Sequence, residues 1–383
     1  MKKDYRELLE FQTSVLDSLG NGVDSKVLAK RTRDFLEDFY KSDSKVPQGS
    51  DFGLTVNREC NLRCKHCYYE DTHVSGEGQN YDLSAEDISG VVGQAVENGF
   101  SLVSVMGKEP LLSPEKTKVV LDTAKRYGAK SQLLTNGILL PENISWLEKC
   151  KPYFTSISFD GYGSDHDFVS RGEGNYERAK RGLEVAKENG IENLIASFVA
   201  MPHNINSLDK MLFDVVDSGA DYASIGFYFP SSFEDKSLYI NSKQFYEVLK
   251  KLENVPESLK TISVHLEGNL HPKLISRIYM EGFFKNKDIA VVSDFSPMLA
   301  VVLNDKPRTV VQTNILPIEY FGMMRMEGNG DVTDCLGEVS IGNVKEKGLM
   351  ELYDLSKNMW AGHTERFFEK LRGAFQDAKK GEA

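Results

Sequence analysis

The chain has 383 residues, of which 40% are hydrophobic and 27% charged, as in globular proteins that bury a sizeable core. Its 46 basic and 57 acidic side chains give a formal net charge of -11, which argues against a nucleic-acid partner because no basic patch overrides the total. No stretch approaches the roughly 20 apolar residues that span a bilayer, and the N-terminus lacks the apolar run of a signal peptide. These features predict a cytoplasmic protein that binds neither membranes nor nucleic acid.

The predicted elements begin with a helical extension over residues 1–50, where apolar residues recur at helical spacing before a linker. Between residues 51 and 253, short apolar runs alternate with amphipathic helices. The expected strands are 51–56, 101–106, 131–135, 154–159, 194–200 and 222–228, and the expected helices are 84–98, 115–127, 143–150, 175–189, 206–218 and 241–253. This alternation predicts an α/β fold with parallel strands, either a partial (β/α)6 barrel or a doubly wound sheet. In both architectures, ligands bind at the C-terminal ends of the strands.

The alternation stops after about residue 253. Strand-like runs follow at 261–266, 298–303, 308–313 and 322–327, and helices are expected near 348–357 and 364–379. Residues 254–383 are therefore predicted to form a small α+β C-terminal region.

Three of the five cysteines, Cys60, Cys64 and Cys67, lie within eight residues, just after the first predicted strand. An odd count with this crowding is typical of metal binding or catalysis rather than of a disulfide framework. Thiolates suit both iron–sulfur clusters and zinc. Three cysteines leave one iron of a four-iron cluster open to an outside ligand, whereas a structural zinc site usually recruits a second Cys or His pair. The cysteines alone favour the cluster and leave zinc open.

The ends of the next strands carry further polar residues. These are Gly107-Lys108-Glu109-Pro110 after the second strand, Thr135-Asn136-Gly137 after the third, Ser158-Phe159-Asp160-Gly161 after the fourth, and Arg171 in the loop beyond it. Each motif alone is typical of a turn. Their position at the same end of the predicted sheet as the cysteines indicates a binding site.

Taken together, these motifs resemble the radical S-adenosylmethionine (SAM) superfamily. The spacing Cys60-x3-Cys64-x2-Cys67 is similar to the signature loop of that family, and residues 106–110 resemble its Gly-Gly-Glu-Pro motif, with Lys108 in place of the second glycine. The resemblance covers about residues 51–228. It implies a partial TIM barrel and so decides between the two architectures.

The resemblance also implies a set of ligands for each motif. The three cysteines would hold a [4Fe-4S] cluster whose open iron binds SAM. The SAM amino group would meet Gly107, Lys108 and Glu109; the ribose and carboxylate would meet Ser158, Asp160 and Arg171; and the adenine would meet the backbone at His66. An electron from a flavodoxin or ferredoxin-type donor would cleave SAM to a 5′-deoxyadenosyl radical, which abstracts hydrogen from the substrate.

Residues 325–353 resemble the SPASM or twitch module of the same family, which binds auxiliary clusters, but only Cys335 remains of its cysteines. We therefore expect no second cluster. Cys335 is either a buried relic or, as in the epimerases that it resembles, a hydrogen donor to a substrate radical. The expected substrate is a natural-product small molecule or a peptide, with the small molecule favoured. The alternative is a zinc- or cluster-binding structural protein that does not cleave SAM.

Overall fold

The computed structural model describes residues 50–67, 83–228, 235–267, 271–285, 289–292, 298–314, 323–333 and 339–380, with short pieces between residues 9 and 46. The pieces between residues 9 and 37 are helical, in agreement with the predicted N-terminal helices.

One sheet contains all the strands that the structure describes. They are β1 (Asp51–Thr55), β2 (Leu102–Met106), β3 (Lys130–Thr135), β4 (Phe154–Ser158), β5 (Leu194–Ala200), β6 (Tyr222–Phe227), β7 (Thr261–Glu267), β8 (Ile289–Val292), β9 (Met298–Asp305), β10 (Arg308–Asn314), β11 (Met323–Glu327), β12 (Asp331–Thr333) and β13 (Ser340–Asn343). Their order is β13-β12-β11-β1-β2-β3-β4-β5-β6-β7-β10-β9-β8. The run from β11 to β10 is parallel, and an antiparallel extension flanks it on each side.

The described helices are α1 (Ala85–Glu97), α2 (Pro114–Arg126), α3 (Leu140–Cys150), α4 (Ser164–Ser170), α5 (Asn175–Glu188), α6 (Leu208–Asp217), α7 (Ser242–Lys251), α8 (Pro272–Met280) and α9 (Leu349–Lys380). Ser84 begins α1 with the capping box that the sequence predicts, because its hydroxyl accepts from the Asp87 amide and Asp87 accepts in return. None of the described helices combines the length and the apolar character that a membrane span requires.

Side chains alternate between two different environments along the parallel strands. On β7, Ile262, Val264 and Leu266 are fully buried in the core under the helices. The intervening Ser263 and His265 are only partly buried and face the other way. We call this second side of the sheet the inner face. The pairing of neighbouring strands places further residues on the inner face: Gly53 and Thr55 of β1, Ser104 of β2, Gln132 of β3, Ser156 of β4, Ser197 of β5 and Ser224 of β6.

The six predicted strands and their helices are confirmed, and so is the α/β partial-barrel architecture. The sheet also continues past residue 253, because β7 pairs with β6 and β11 pairs with β1. The division at residue 253 therefore stays a prediction. The helices expected near 348–357 and 364–379 are both present, but the expected break between them is not, since one helix, α9, spans both ranges. Gly362 does not break it, because a single glycine costs a helix only about 1 kcal/mol.

Gly182 of α5 lies against the backbone of the loop after β3, where an added Cβ would collide with the carbonyl oxygen of Gly137. We expect Gly182→Ala to lower the free energy of unfolding by about 1–3 kcal/mol through overpacking. Gly90 of α1 is the matched control, because nothing lies within 4 Å of its added Cβ. Gly90→Ala should raise stability by about 0.5–1 kcal/mol. Urea denaturation of both variants checks this, and equal effects would contradict the described packing of α5.

Candidate functional site

The cysteine loop, residues 56–67, leaves the C-terminal end of β1 and carries all three predicted ligands. Cys60 is exposed, and Cys64 and Cys67 are partly buried. Burial is the main cause that raises the pKa of the partly buried Cys64 thiol, and Asp160 and the other two cysteines add to it. All three thiols lie on one loop at the C-terminal end of β1.

Two neighbouring loops fix the position of the cysteine loop. The Glu109 amide donates to the Glu59 carbonyl oxygen at 2.9 Å, and Asn57 Nδ2 donates to the Glu109 carbonyl oxygen at 2.7 Å. From the next strand, Asn136 Nδ2 donates to Asn61 Oδ1 at 2.7 Å. The loops after β1, β2 and β3 are thus tied together by direct hydrogen bonds.

Glu109 is fully buried, and both of its carboxylate oxygens accept hydrogen bonds. Oε1 accepts from the Leu111 amide at 3.0 Å and from Thr135 Oγ1 at 2.8 Å, while Oε2 accepts from the Asn136 amide at 2.9 Å. Burial raises the pKa of Glu109 to about 7, although these hydrogen bonds favour the charged form. The Glu109 side chain therefore makes its hydrogen bonds within the protein. Contact between the Gly107–Glu109 turn and the SAM amino group stays a prediction.

Gly107 has a φ of +101°, and an added Cβ would lie 2.5 Å from Thr55 Cγ2. The turn after β2 therefore requires glycine at this position. Lys108 stands where the family motif has a second glycine. Among the described residues, positive φ outside glycine occurs only at Lys151, Arg171 and Asn193. The Lys108 substitution consequently causes no backbone strain of this kind.

The end of β4 brings Asp160 against the cysteine loop. Asp160 is 3% exposed, its Oδ1 accepts from the Val199 amide at 3.0 Å, and its Oδ2 lies 3.6 Å from His66 Nε2. The Lys65 amide donates to the Val169 carbonyl oxygen of α4 at 2.9 Å. Two predicted SAM-site residues, His66 and Asp160, are thus in contact.

The other predicted residues lie around this contact. Ser158 ends β4 on the partly accessible inner face, and Arg171 follows α4 with an exposed side chain and a φ of +57°. Cys335 lies outside the described residues. The predicted roles of these residues stay predictions.

Two histidines near this site escaped the sequence analysis. His166 Nδ1 accepts from the Asp160 amide at 3.0 Å, whereas its Nε2 is buried without a hydrogen bond. His203 Nε2 and His66 Nδ1 are likewise buried without a hydrogen bond. Burial lowers the pKa of His166 and His203 and favours neutral rings. Their positions shortly after β4 and β5 were the available signal.

The buried ring nitrogen of His66 fits a bound polar ligand, because buried polar atoms normally have hydrogen-bond partners. The donor set fits an iron–sulfur cluster, because three thiols on one loop are the ligand type that cluster iron takes.

Comparison with known proteins gives a consistent result. Residues 54–215 match the sequence model of the Radical SAM superfamily. The chain is 29% identical over 163 residues to a probable GTP 3′,8-cyclase of Methanococcus maripaludis, an alignment that covers 42% of this chain and 53% of the relative. It is 31% identical over 115 residues to GTP 3′,8-cyclase 1 of Mycobacterium tuberculosis, covering 29% of this chain and 32% of the relative. The match thus spans about half the length of such relatives, or less.

Solved structures show a similar fold over more of the chain. Streptococcus suis SuiB matches with a TM-score of 0.58 at 14% identity, covering 91% of this chain and 76% of SuiB. A structure of anSMEcpe with bound AdoMet matches with a TM-score of 0.55 at 15% identity, covering 81% of this chain and 78% of the other. These likenesses support the partial-barrel fold. A SPASM or twitch module in residues 254–383 stays a prediction.

The raised pKa of Glu109 predicts a pH-dependent stability. A carboxyl whose pKa rises from 4.5 to about 7 on folding binds more protons in the folded state between those values. The free energy of unfolding should therefore fall as pH rises through that window, by up to roughly 3 kcal/mol for this group. Glu109→Gln removes the titration and leaves an amide facing the Asn136 amide, at a cost of about 1–3 kcal/mol at low pH.

Urea denaturation at pH 5, 6 and 7 measures the difference. The loss of stability with rising pH should be smaller in Glu109→Gln than in the wild type. Parallel pH curves for the two proteins would show that Glu109 does not titrate in this range. The comparison between proteins also removes the contribution of Asp51, whose pKa burial likewise raises to about 7.

Proposed function

From the radical SAM domain that this chain carries, we propose that it is a cytoplasmic enzyme that cleaves SAM reductively at a single [4Fe-4S] cluster. The observation that carries the proposal is the cysteine loop: three thiols on one loop, hydrogen-bonded to the ends of β2 and β3. When bound, the cluster supplies the electron that cleaves SAM to methionine and a 5′-deoxyadenosyl radical, which takes a hydrogen atom from the substrate.

The residues of this chain position and enclose the reactants. Cys60, Cys64 and Cys67 would hold the cluster, and Glu109 keeps their loop in register with the end of β3. The Gly107–Glu109 turn would hold the SAM amino group. Preorganisation of this kind lowers the barrier, because the site need not reorganise during the reaction.

The opposite side of the site would hold the rest of SAM. Ser158 and Asp160 would meet the ribose, the exposed Arg171 the carboxylate, and the backbone at His66 the adenine. Asp160 also orients His66, since their polar atoms lie 3.6 Å apart. An Arg guanidinium suits a carboxylate, because it donates two parallel hydrogen bonds.

The substrate would be a natural-product small molecule or a peptide, and a flavodoxin or ferredoxin-type protein would deliver the electron. Epimerisation, dehydrogenation, cross-linking and rearrangement all begin with the same hydrogen abstraction. Cys335 would be the hydrogen donor if the outcome is epimerisation. The relatives named GTP 3′,8-cyclase share only part of their length with this chain, so their name does not identify its substrate.

Anaerobic reconstitution with iron and sulfide tests the proposal. The reduced protein should convert added SAM to 5′-deoxyadenosine, measured by liquid chromatography. Cys64→Ser should lose the cluster absorbance and at least 100-fold of this activity, because a hydroxyl is a poor ligand for cluster iron.

Cys150→Ala is the matched control, since Cys150 is a buried thiol at the end of α3, remote in sequence from the loop. It should keep the iron content and the cleavage activity of the wild type. Stoichiometric zinc in place of iron–sulfur, with no 5′-deoxyadenosine formed, would reject the enzyme in favour of a structural metal protein.

The Arg171 assignment makes a separate prediction. Arg171→Lys should weaken SAM binding by about tenfold, because an ammonium group cannot reproduce a two-pronged contact. Arg181→Lys on the surface of α5 is the control and should bind SAM normally, since Arg181 pairs with Glu184. Isothermal titration of both reconstituted variants measures the affinities, and equal affinities would remove Arg171 from the SAM site.

A further inference from the structure

The inner face beyond the cysteine loop is lined by small polar side chains. Ser197 of β5, Ser224 of β6 and Ser263 of β7 are paired in register, so their hydroxyl groups form one layer. All three are partly accessible. The layer nearer the C-terminal ends contains Val199 and Gly226, which are also paired.

This composition differs from that of a closed barrel. Closed barrels fill their interior with layers of bulky branched side chains. Here glycine and serine occupy three of the six inner-face positions on β5 and β6, and these three are partly accessible. The inner face therefore has room for a ligand and offers hydroxyl groups to it.

His265 lies on this face towards the C-terminal end of β7, one position beyond the Val264–Ile225 pair and opposite Gln312 of β10. Its ring makes no hydrogen bond or ion pair with any residue in the described ranges. Burial alone lowers its pKa, so that the ring is neutral and offers one donor and one acceptor. His271 shows the contrast, because its Nε2 is bonded to the Tyr228 carbonyl oxygen at 2.8 Å.

Cations are few among the residues of this face that the structure describes. The strands β4, β5, β6 and β7 contain no lysine or arginine. On β11, Arg325 is already engaged, since its Nε lies 3.3 Å from Glu327 Oε1. Phosphate groups are bound in proteins chiefly by arginine, lysine and helix N-termini. A nucleoside triphosphate would therefore find no lysine or arginine on these four strands.

We propose that His265 is a substrate-binding residue, whose imidazole hydrogen-bonds a small, hydroxyl-bearing substrate without phosphate groups on the serine-lined inner face of β5, β6 and β7. The proposal rests on the SAM-cleaving function proposed above. It goes further by assigning a residue outside the 54–215 family match and a class of substrate that excludes nucleotides.

The test uses the reconstituted full-length protein with SAM and measures the formation of 5′-deoxyadenosine. One set of probes contains nucleosides, monosaccharides and aminosugars, and the other contains GTP, UTP and citrate. At least one compound of the first set should raise the rate severalfold, and none of the second set should do so. His265→Phe should raise the half-saturating concentration of that compound at least tenfold, with a smaller change in the maximal rate. His265→Gln should raise it less.

Thr261→Val is the matched control, because Thr261 lies on the same face at the N-terminal end of β7. It should respond to the compound as the wild type does. Stimulation by the phosphorylated set, an unchanged half-saturating concentration in His265→Phe, or cleavage that no probe stimulates would overturn the proposal. Failure of the wild type to cleave SAM at all would instead reject the underlying function.

Discussion

The Glu109 carboxylate accepts hydrogen bonds from three donors on two loops while it is fully shielded from water. Its burial is costly, as the raised pKa indicates, and the donors offset part of that cost. The backbone of the same residue bonds to Asn57 and Glu59 of the cysteine loop. The relative positions of the first three strand ends therefore depend on one side chain and its own peptide groups.

The separation of the two faces of the sheet depends on strand register. A slip of one residue on β7 would place His265 in the hydrophobic core and Val264 on the inner face. The burial of Val264 and Leu266 under the helices prevents this slip, because each buried aliphatic side chain contributes about 1.5–3 kcal/mol. The residues that hold the fold and those available to a ligand consequently alternate along a single strand.

Much of the fold could be predicted from the sequence, because the strands between residues 51 and 228 and their helices have local hydrophobic patterns and alternate along the chain. The cysteine loop and the Gly107 turn were found for the same reason. The pairing of β11 with β1 was not predicted, since it joins residues far apart in the chain. His166 and His203 were missed because a lone histidine has no local pattern. Their importance comes from contacts such as that between His166 and the Asp160 amide.

The position of β11 also bears on how the protein is made. Thr55, just ahead of the cysteine loop, pairs with Glu327 of β11, and its hydroxyl donates to Glu327 Oε1 at 3.5 Å, across a separation of 272 residues in the chain. At about 5–20 residues per second, a ribosome needs roughly 15–55 s to supply that strand. During this interval the free edge of β1 is without its partner, while the cysteines have already been synthesised. The three thiols are therefore synthesised well before the strand that pairs with this edge of β1.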